Sequence, residues 1–325
     1  MKAMLIGEGQ VLNWSDVALP VPKAHEVLIE VYAAALNRAD LLQRQGKYPS
    51  PPGCAPWMGL EVAGVVTGTG AQVTRWKPGD RVCALLGGGG YAEYAVADEG
   101  MTMPMPAGLS FEEAASLPEA YATCYLNLMV EGMLKPGETL YFPAGASGLA
   151  SAGIPMAKAF GAYVITSVLS AEMKARVSHL GADVVIDSSE EDLATVLSRE
   201  AEKRHPVDVA IDCLGGEMLG CCLPFVNRGC RWILISTLAG VTTSIPLRAV
   251  LTKGMLLKGS MLRNRSVAEK SGLLARLVKD VWPLLEAGSL RPTVYRVLPI
   301  TEAEQAHAIL ENGENVGKVV LKVRS

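Results

Sequence analysis

Between Phe142 and Gly153 the chain reads Phe-Pro-Ala-Gly-Ala-Ser-Gly-Leu-Ala-Ser-Ala-Gly, a run of small residues with an apolar stretch, Leu140 to Phe142, before it. An alanine-rich stretch with helical composition follows to Phe160. The order is strand, tight turn, helix. Where side chains are missing at such a turn, the backbone N–H groups of Gly145, Ala146, Ser147, Gly148 and Leu149 are free to approach a pyrophosphate. The helix N-terminus adds roughly half a unit of positive charge. The run is therefore read as a dinucleotide cradle, although the same residues also suit a plain glycine-rich helix start. It departs from G-x-G-x-x-G: Gly145 takes the first position, Ser147 the second and Ala150 the third, with Gly148 in addition.

The elements that must hold this turn are legible on either side. A second strand, Tyr163 to Thr166, a helix through Leu180 and a third strand, Val184 to Asp187, complete a βαβαβ half. Pro155 inside the cradle helix removes one backbone donor and predicts a local kink. The earlier part of the chain has a different texture. Strand-like runs at Lys2 to Ile6, Glu26 to Ala34, Glu61 to Thr67 and Arg81 to Ala84 are cut by glycine and proline clusters such as Tyr48 to Gly53 and Gly87 to Gly90. A helix from Pro118 to Val130 leads toward the nucleotide unit. The C-terminal stretch, with a helix from Ala275 to Leu285 and a strand from Gly317 to Val323, has no second cradle. It is expected to fold back onto the first domain, which makes the nucleotide domain an insertion.

Composition sets the outer bounds. A chain of 325 residues, half of them hydrophobic, is long enough for two domains with real cores. A formal net charge of -3 with no basic run argues against nucleic acid or anionic lipid as a partner. No apolar stretch approaches the ~20 residues that span a bilayer, and the N-terminus lacks a signal-peptide pattern, so a cytoplasmic location is expected. Seven scattered cysteines without a C-x-x-C pair are expected to be reduced and mostly buried. The four histidines, His25, His179, His205 and His307, fall in turn or helix contexts and are read as surface or capping residues.

Several motifs share one order and spacing. Asn37-Arg38-Ala39-Asp40-Leu41 runs on to Gly46-Lys47-Tyr48-Pro49, followed by Gly59-Leu60-Glu61-Val62-Ala63-Gly64, Lys77 to Val82 and the cradle. Asp212 to Gly216, Gly229 to Ser236, Lys258 to Arg263 and Asn315-Val316-Gly317-Lys318 continue the series. Together these resemble the zinc-independent quinone oxidoreductase family of the medium-chain dehydrogenase/reductase superfamily, closest to the branch named for the p53-inducible quinone oxidoreductase. The resemblance spans essentially the whole chain. It implies an α/β fold in which a Rossmann doubly wound parallel sheet, residues 124–263, is inserted into a GroES-like β-rich catalytic domain, residues 1–123 and 264–325. It implies substrate entry between the two domains and hydride transfer from NADPH to a quinone or similar conjugated carbonyl.

The same resemblance assigns residues. Asn37 and Tyr48 are implied as catalytic, with Asn37 and Thr123 near the nicotinamide. Bland readings stand beside them: a turn residue for Asn37, a packed loop aromatic for Tyr48, and a helix residue bonded back to its own turn for Thr123. Further cofactor contacts are implied at Gly215, Ser236, Leu262, Arg263, Asn315 and Lys318. Zinc-dependent members of the superfamily carry Cys where this chain has Asn37 and His where it has Leu60, and their third ligand falls at Glu119. A catalytic zinc needs three N, S or O ligands, and leucine offers none. A metal site is therefore not expected, and the chemistry turns from alcohol oxidation toward reduction of an electron-poor acceptor. No His or Cys falls at an expected catalytic position. Asn37 and Tyr48 donate hydrogen bonds without ionising near neutral pH, so orientation and charge stabilisation are expected to dominate, with water delivering the proton.

Cofactor choice turns on the end of the second strand. NAD-specific folds place an acid there for the ribose hydroxyl, whereas Ile165 to Ser170 contains none. The hydroxyls of Ser167 and Ser170, with Lys174 and Ser188 nearby, suit a 2′-phosphate, and NADPH is the expected cofactor. Met173 and Ser188 depart from the family's usual basic and aromatic residues, and Ser167 and Ser170 also suit a helix cap. Two further enzyme readings, enoyl-thioester reduction and enal reduction, use the same hydride delivery. A dinucleotide-binding structural or RNA-interacting protein with little turnover is the alternative from another class. The resemblance also implies a homodimer that pairs the sheet edge near Met255 to Met261.

Overall fold

The computed structural model describes residues 1–324. The chain divides into two compact units, Met1–Ala122 with Arg263–Ser325 and Thr123–Leu262. Unit 1 opens with the hairpin β1 (Lys2–Ile6) and β2 (Leu12–Asp16), then β3 (Glu26–Ala35), α1 (Arg38–Arg44), β4 (Glu61–Thr69), β5 (Arg81–Leu85), β6 (Tyr94–Asp98), β7 (Thr102–Pro104) and α2 (Phe111–Ala115). Helix α3 (Pro118–Tyr125) carries the chain into unit 2 and continues as a π-helical turn, Leu126–Glu131. Unit 2 comprises β8 (Thr139–Phe142), α4 (Ala150–Ala159), β9 (Tyr163–Val168), α5 (Ala171–Val177), β10 (Val184–Asp187), α6 (Leu193–Glu202), β11 (Val207–Asp212), α7 (Glu217–Cys222), β12 (Val226–Leu234), α8 (Leu247–Lys253) and β13 (Leu256–Gly259). The chain returns to unit 1 with α9 (Val267–Glu286), β14 (Val294–Pro299), α10 (Ala303–Glu311) and β15 (Lys318–Lys322).

In unit 1 the sheet order is β14-β15-β3-β4-β5-β7, with β6 also paired to β3. Strand β3 shows why. Val27, Ile29, Val31 and Ala33 alternate with partly exposed neighbours, a period of two that points one face at the core. From Ala33 onward every residue of the strand is buried, because the C-terminal strand β15 pairs there, Val320 opposite Ala35 and Leu321 opposite Ala34. The C-terminal stretch thus supplies a strand to the N-terminal sheet. Helix α9 begins at Val267, earlier than the apolar pattern from Ala275 indicates. The reason is a capping box: Ser266 Oγ accepts from Glu269 N at 3.2 Å, and Glu269 Oε2 accepts from Ser266 N at 2.9 Å.

Unit 2 is a six-stranded, wholly parallel sheet in the order β10-β9-β8-β11-β12-β13. This is the doubly wound Rossmann order, which reverses direction between β8 and β11 and places the turn after β8 at the switch point. Trp232 and Tyr141 fill the core of this unit. Gly153 lets α4 lie on β8, since a Cβ there would stand 2.4 Å from Phe142 Cε2. Pro155 sits inside α4.

The cysteines are free, five buried and Cys54 and Cys221 exposed. The histidine expectation needs one correction. His307 is neither a surface nor a capping residue: it is fully buried on the face of α10 that carries Ala303, Ala306 and Ile309 into the unit 1 core. The i, i+3, i+4 spacing of 303, 306 and 307 is the signal that marks this face. Both ring nitrogens lack a hydrogen-bond partner among the described residues, and the ring meets Tyr91 edge-on at 6.0 Å. Burial, with Arg44 adding to it, lowers the imidazole from 6.5 to about 4. The folded state therefore holds His307 neutral, and its contribution is fully present above pH 6.5 and lost as pH falls through about 4. A loss on the order of 3 kcal/mol across that window is expected from the shift. Urea unfolding from pH 7 to pH 4 checks it: His307→Phe should show a flatter dependence than the parent, and parallel slopes would refute the assignment.

Candidate functional site

Strand register builds the polar centre of unit 1. The antiparallel pairing of Ala35 with Val320, continued by two residues, sets Lys318 opposite Asn37. Strand β4 brings Glu61 to the same end of β3, next to Val62, which pairs with Ala34. Lys318 Nζ lies 2.6 Å from Glu61 Oε1, 2.7 Å from Asn37 Oδ1 and 2.5 Å from the carbonyl of Leu36. Glu61 is fully buried and Lys318 nearly so. Asn37 Nδ2 donates to Glu61 Oε1 at 2.9 Å, and the backbone N–H of Glu119 donates to Glu61 Oε2 at 2.8 Å.

Asp40 anchors the loop around this centre. Its two carboxylate oxygens accept from the backbone N–H groups of Asn37, at 2.8 Å, and Gly59, at 3.0 Å. Burial raises it to about 6 despite these bonds. Glu119 rises to about 7, pushed by burial and then by the charge of Glu61, with Lys318 opposing. Glu119 stood out in the sequence only as a ligand position, and its neighbour Glu61 is remote in sequence. Tyr48 is half-buried, and the Arg263 guanidinium stacks 3.8 Å above its ring. Burial raises the Tyr48 phenol, so it stays a neutral donor at pH 7. Arg263 Nη2 also donates to the carbonyl of Pro49 at 2.6 Å. Asn315 is buried, its Nδ2 donating to the carbonyl of Gly317 at 2.7 Å.

Unit 2 supplies the cradle. Ala144 adopts φ 54°, a left-handed conformation unusual for a residue with a side chain, and turns the chain directly after β8. Gly145 packs so closely on Thr166 that a Cβ would stand 2.5 Å from its Oγ1. Ser147 Oγ accepts from Ala150 N at 3.0 Å and caps the start of α4. Among the described residues, no hydrogen-bond partner engages the backbone N–H groups of Ala146, Gly148 and Leu149. Unpaired donors at a helix start suit a pyrophosphate, so the residues present fit a dinucleotide. Asp212 Oδ1 holds the turn at Gly215 through Leu214 N and Gly215 N, 2.8 and 2.9 Å away. Ser236 is half-buried and Leu262 buried. Thr123 uses its carbonyl to accept from Asn127 Nδ2 at 2.7 Å.

The proposed 2′-phosphate residues have internal partners. Ser167 Oγ lies 3.1 Å from the Tyr141 hydroxyl, Ser170 caps α5 through Met173 N at 3.3 Å, and Lys174 pairs with Glu191 at 3.2 Å. Ser188 is exposed.

Comparison with known proteins identifies the chain. Residues 23–107 match the family model described as alcohol dehydrogenase GroES-like domain, and residues 180–321 the one described as zinc-binding dehydrogenase. The chain is 31% identical over 309 residues to quinone oxidoreductase from Sus scrofa, covering 94% of this chain and 92% of the relative. It belongs to the quinone oxidoreductase family of the medium-chain dehydrogenase/reductase superfamily. Among solved structures, an NAD-dependent alcohol dehydrogenase is 30% identical with a TM-score of 0.84, covering 99% of this chain and 100% of that one. The CurK enoyl reductase is 26% identical with a TM-score of 0.86, covering 99% and 98%.

Membership raises the question of zinc, and the residues of this oxidoreductase do not fit it. The three positions offer an amide held between Lys318 and Glu61, the hydrocarbon of buried Leu60, and one carboxylate, Glu119. An ammonium already lies 2.7 Å from the Asn37 oxygen. Among the described residues no group of three or more His, Cys, Asp or Glu is arranged to hold a metal ion. Elemental analysis of the purified protein should find well under one zinc per chain, with turnover unchanged by chelator. Stoichiometric zinc whose removal abolishes turnover would contradict this.

Proposed function

We propose that this quinone oxidoreductase relative transfers hydride from NADPH to a quinone or similar conjugated carbonyl without zinc. The observation that carries the reading is the donor set of unit 1: two neutral donors, the Asn37 amide and the Tyr48 phenol, where residues unsuited to zinc take the ligand positions. NADPH would supply the hydride. The N–H groups of Ala146, Gly148 and Leu149 would hold its pyrophosphate. Negative charge grows on the acceptor oxygen as hydride arrives, and a donor aimed at that oxygen lowers the barrier. The acid-free end of β9 supports NADPH over NADH; the 2′-phosphate would compete with Glu191 for Lys174. Strand β13, exposed along its length at the sheet edge with Leu256 and Leu257 each 45% exposed, supports a homodimer through strand pairing. No helix among the described residues is long and apolar enough to cross a membrane, in keeping with a small-molecule enzyme of the cytoplasm.

The raised Glu119 carboxyl favours a second reading of the proton supply, in which Glu119 rather than water protonates the reduced acceptor. The experiment is NADPH and NADH oxidation against quinones, enals and enoyl thioesters. NADPH should give the higher kcat/KM by roughly tenfold, equivalent to about 1.4 kcal/mol, with quinones the best acceptors. Tyr48→Phe should lower kcat/KM only about tenfold, because a general acid or base contributes typically 10²–10⁴-fold and none is removed. A thousandfold loss, or equal use of NADH, would refute the corresponding part. If Glu119 is the donor, Glu119→Gln removes a titration near pH 7 that the parent shows.

A further inference from the structure

Lys318 can only donate hydrogen bonds, and an ionised carboxylate such as Glu61 can only accept them. Asn37 lies between the two, with Oδ1 2.7 Å from Lys318 Nζ and Nδ2 2.9 Å from Glu61 Oε1. Turning the amide over would set its NH₂ against the ammonium and its oxygen against the carboxylate. The amide therefore has one orientation. Its second N–H has only the Ala35 carbonyl at 3.5 Å, the outer limit of a hydrogen bond, and so stays available to a ligand. The ammonium of Lys318, by contrast, already faces three protein oxygens. Lys318 is also nearly fully buried.

We propose that Lys318 is a positioning residue: with Glu61 it fixes the Asn37 amide so that one N–H faces the acceptor oxygen. This rests on the reading of Asn37 as the acceptor's donor, and it gives Lys318 a role through Asn37 instead of at the cofactor. The mechanism is the preorganisation of a neutral dipole by a buried ion pair. Without the ammonium the amide is free to turn, and the donor is present for only part of the time.

The test uses Asn37→Ala, Lys318→Met and the double variant Lys318→Met/Glu61→Gln. The double variant leaves no unpaired buried charge, so it keeps the question open to experiment where Lys318→Met alone fails to fold. For each folded variant, NADPH affinity is read by fluorescence titration, and kcat and KM for the quinone by steady-state kinetics. The expected result is a tenfold or greater fall in kcat for every variant, with NADPH affinity within about twofold of the parent in the double variant. A tenfold weaker NADPH affinity with kcat unchanged at saturation would make Lys318 a cofactor ligand and overturn the proposal. Unchanged kinetics in the Lys318 variants, with Asn37→Ala impaired, would overturn it also while leaving the donor reading intact. An unimpaired Asn37→Ala would refute the donor reading itself.

Discussion

The buried ion pair between Glu61 and Lys318 is the contact on which unit 1 depends. Two opposite charges out of water are tolerated only when their remaining bonding capacity is met, and here it is: Glu61 accepts from Lys318, Asn37 Nδ2 and Glu119 N, while Lys318 donates to Glu61, Asn37 and the Leu36 carbonyl. Removing one partner of such a pair typically costs 3–5 kcal/mol, because the other charge is left buried alone. The pair also joins distant parts of the chain. Glu61 opens β4, Lys318 opens β15, and both act at the end of β3, so the polar centre forms only when the C-terminal stretch has docked on the N-terminal sheet.

Charge accumulates around this pair in a way that sets the remaining chemistry. Burial first and the charge of Glu61 second raise both the Glu119 carboxyl and the Cys83 thiol, the thiol so far above its ordinary range that the cysteine is inert. Asp40 holds the Asn37 and Gly59 backbone from the other side. Unit 2 works by the opposite principle. Its phosphate turn carries no charged side chain between Ala144 and Gly153; it offers backbone N–H groups at the start of α4, placed by the strained Ala144 and the tight packing of Gly145 on Thr166.

Much of this is legible in the sequence where the signal is local. The small residues from Ala144 to Gly148, the apolar runs of β8 and β10 and the turn clusters predict the βαβαβ half, and the structure shows it as the parallel strands β8, β9 and β10. The start of α9 is not marked by apolar periodicity, because the capping pair Ser266 and Glu269 lies outside it. The burial of His307 is legible not in its residue type but in the helix face that it shares with Ala303 and Ala306. The ion pair is the feature least legible in the sequence. Glu61 and Lys318 each stand directly before an apolar run in their strand, but only the antiparallel registers of β15 and β4 on β3 show that they meet.

A double-mutant cycle between Asn37→Ala and the paired replacement Lys318→Met/Glu61→Gln on kcat/KM for quinone reduction, in which no variant buries a lone charge, tests the central claim most directly. If the lysine acts through the amide, Asn37→Ala costs at least tenfold less once Lys318 is methionine, a coupling of about 1.4 kcal/mol or more. Additive losses would show that the two residues act independently, and the buried pair would then be a structural element of the sheet without a part in turnover.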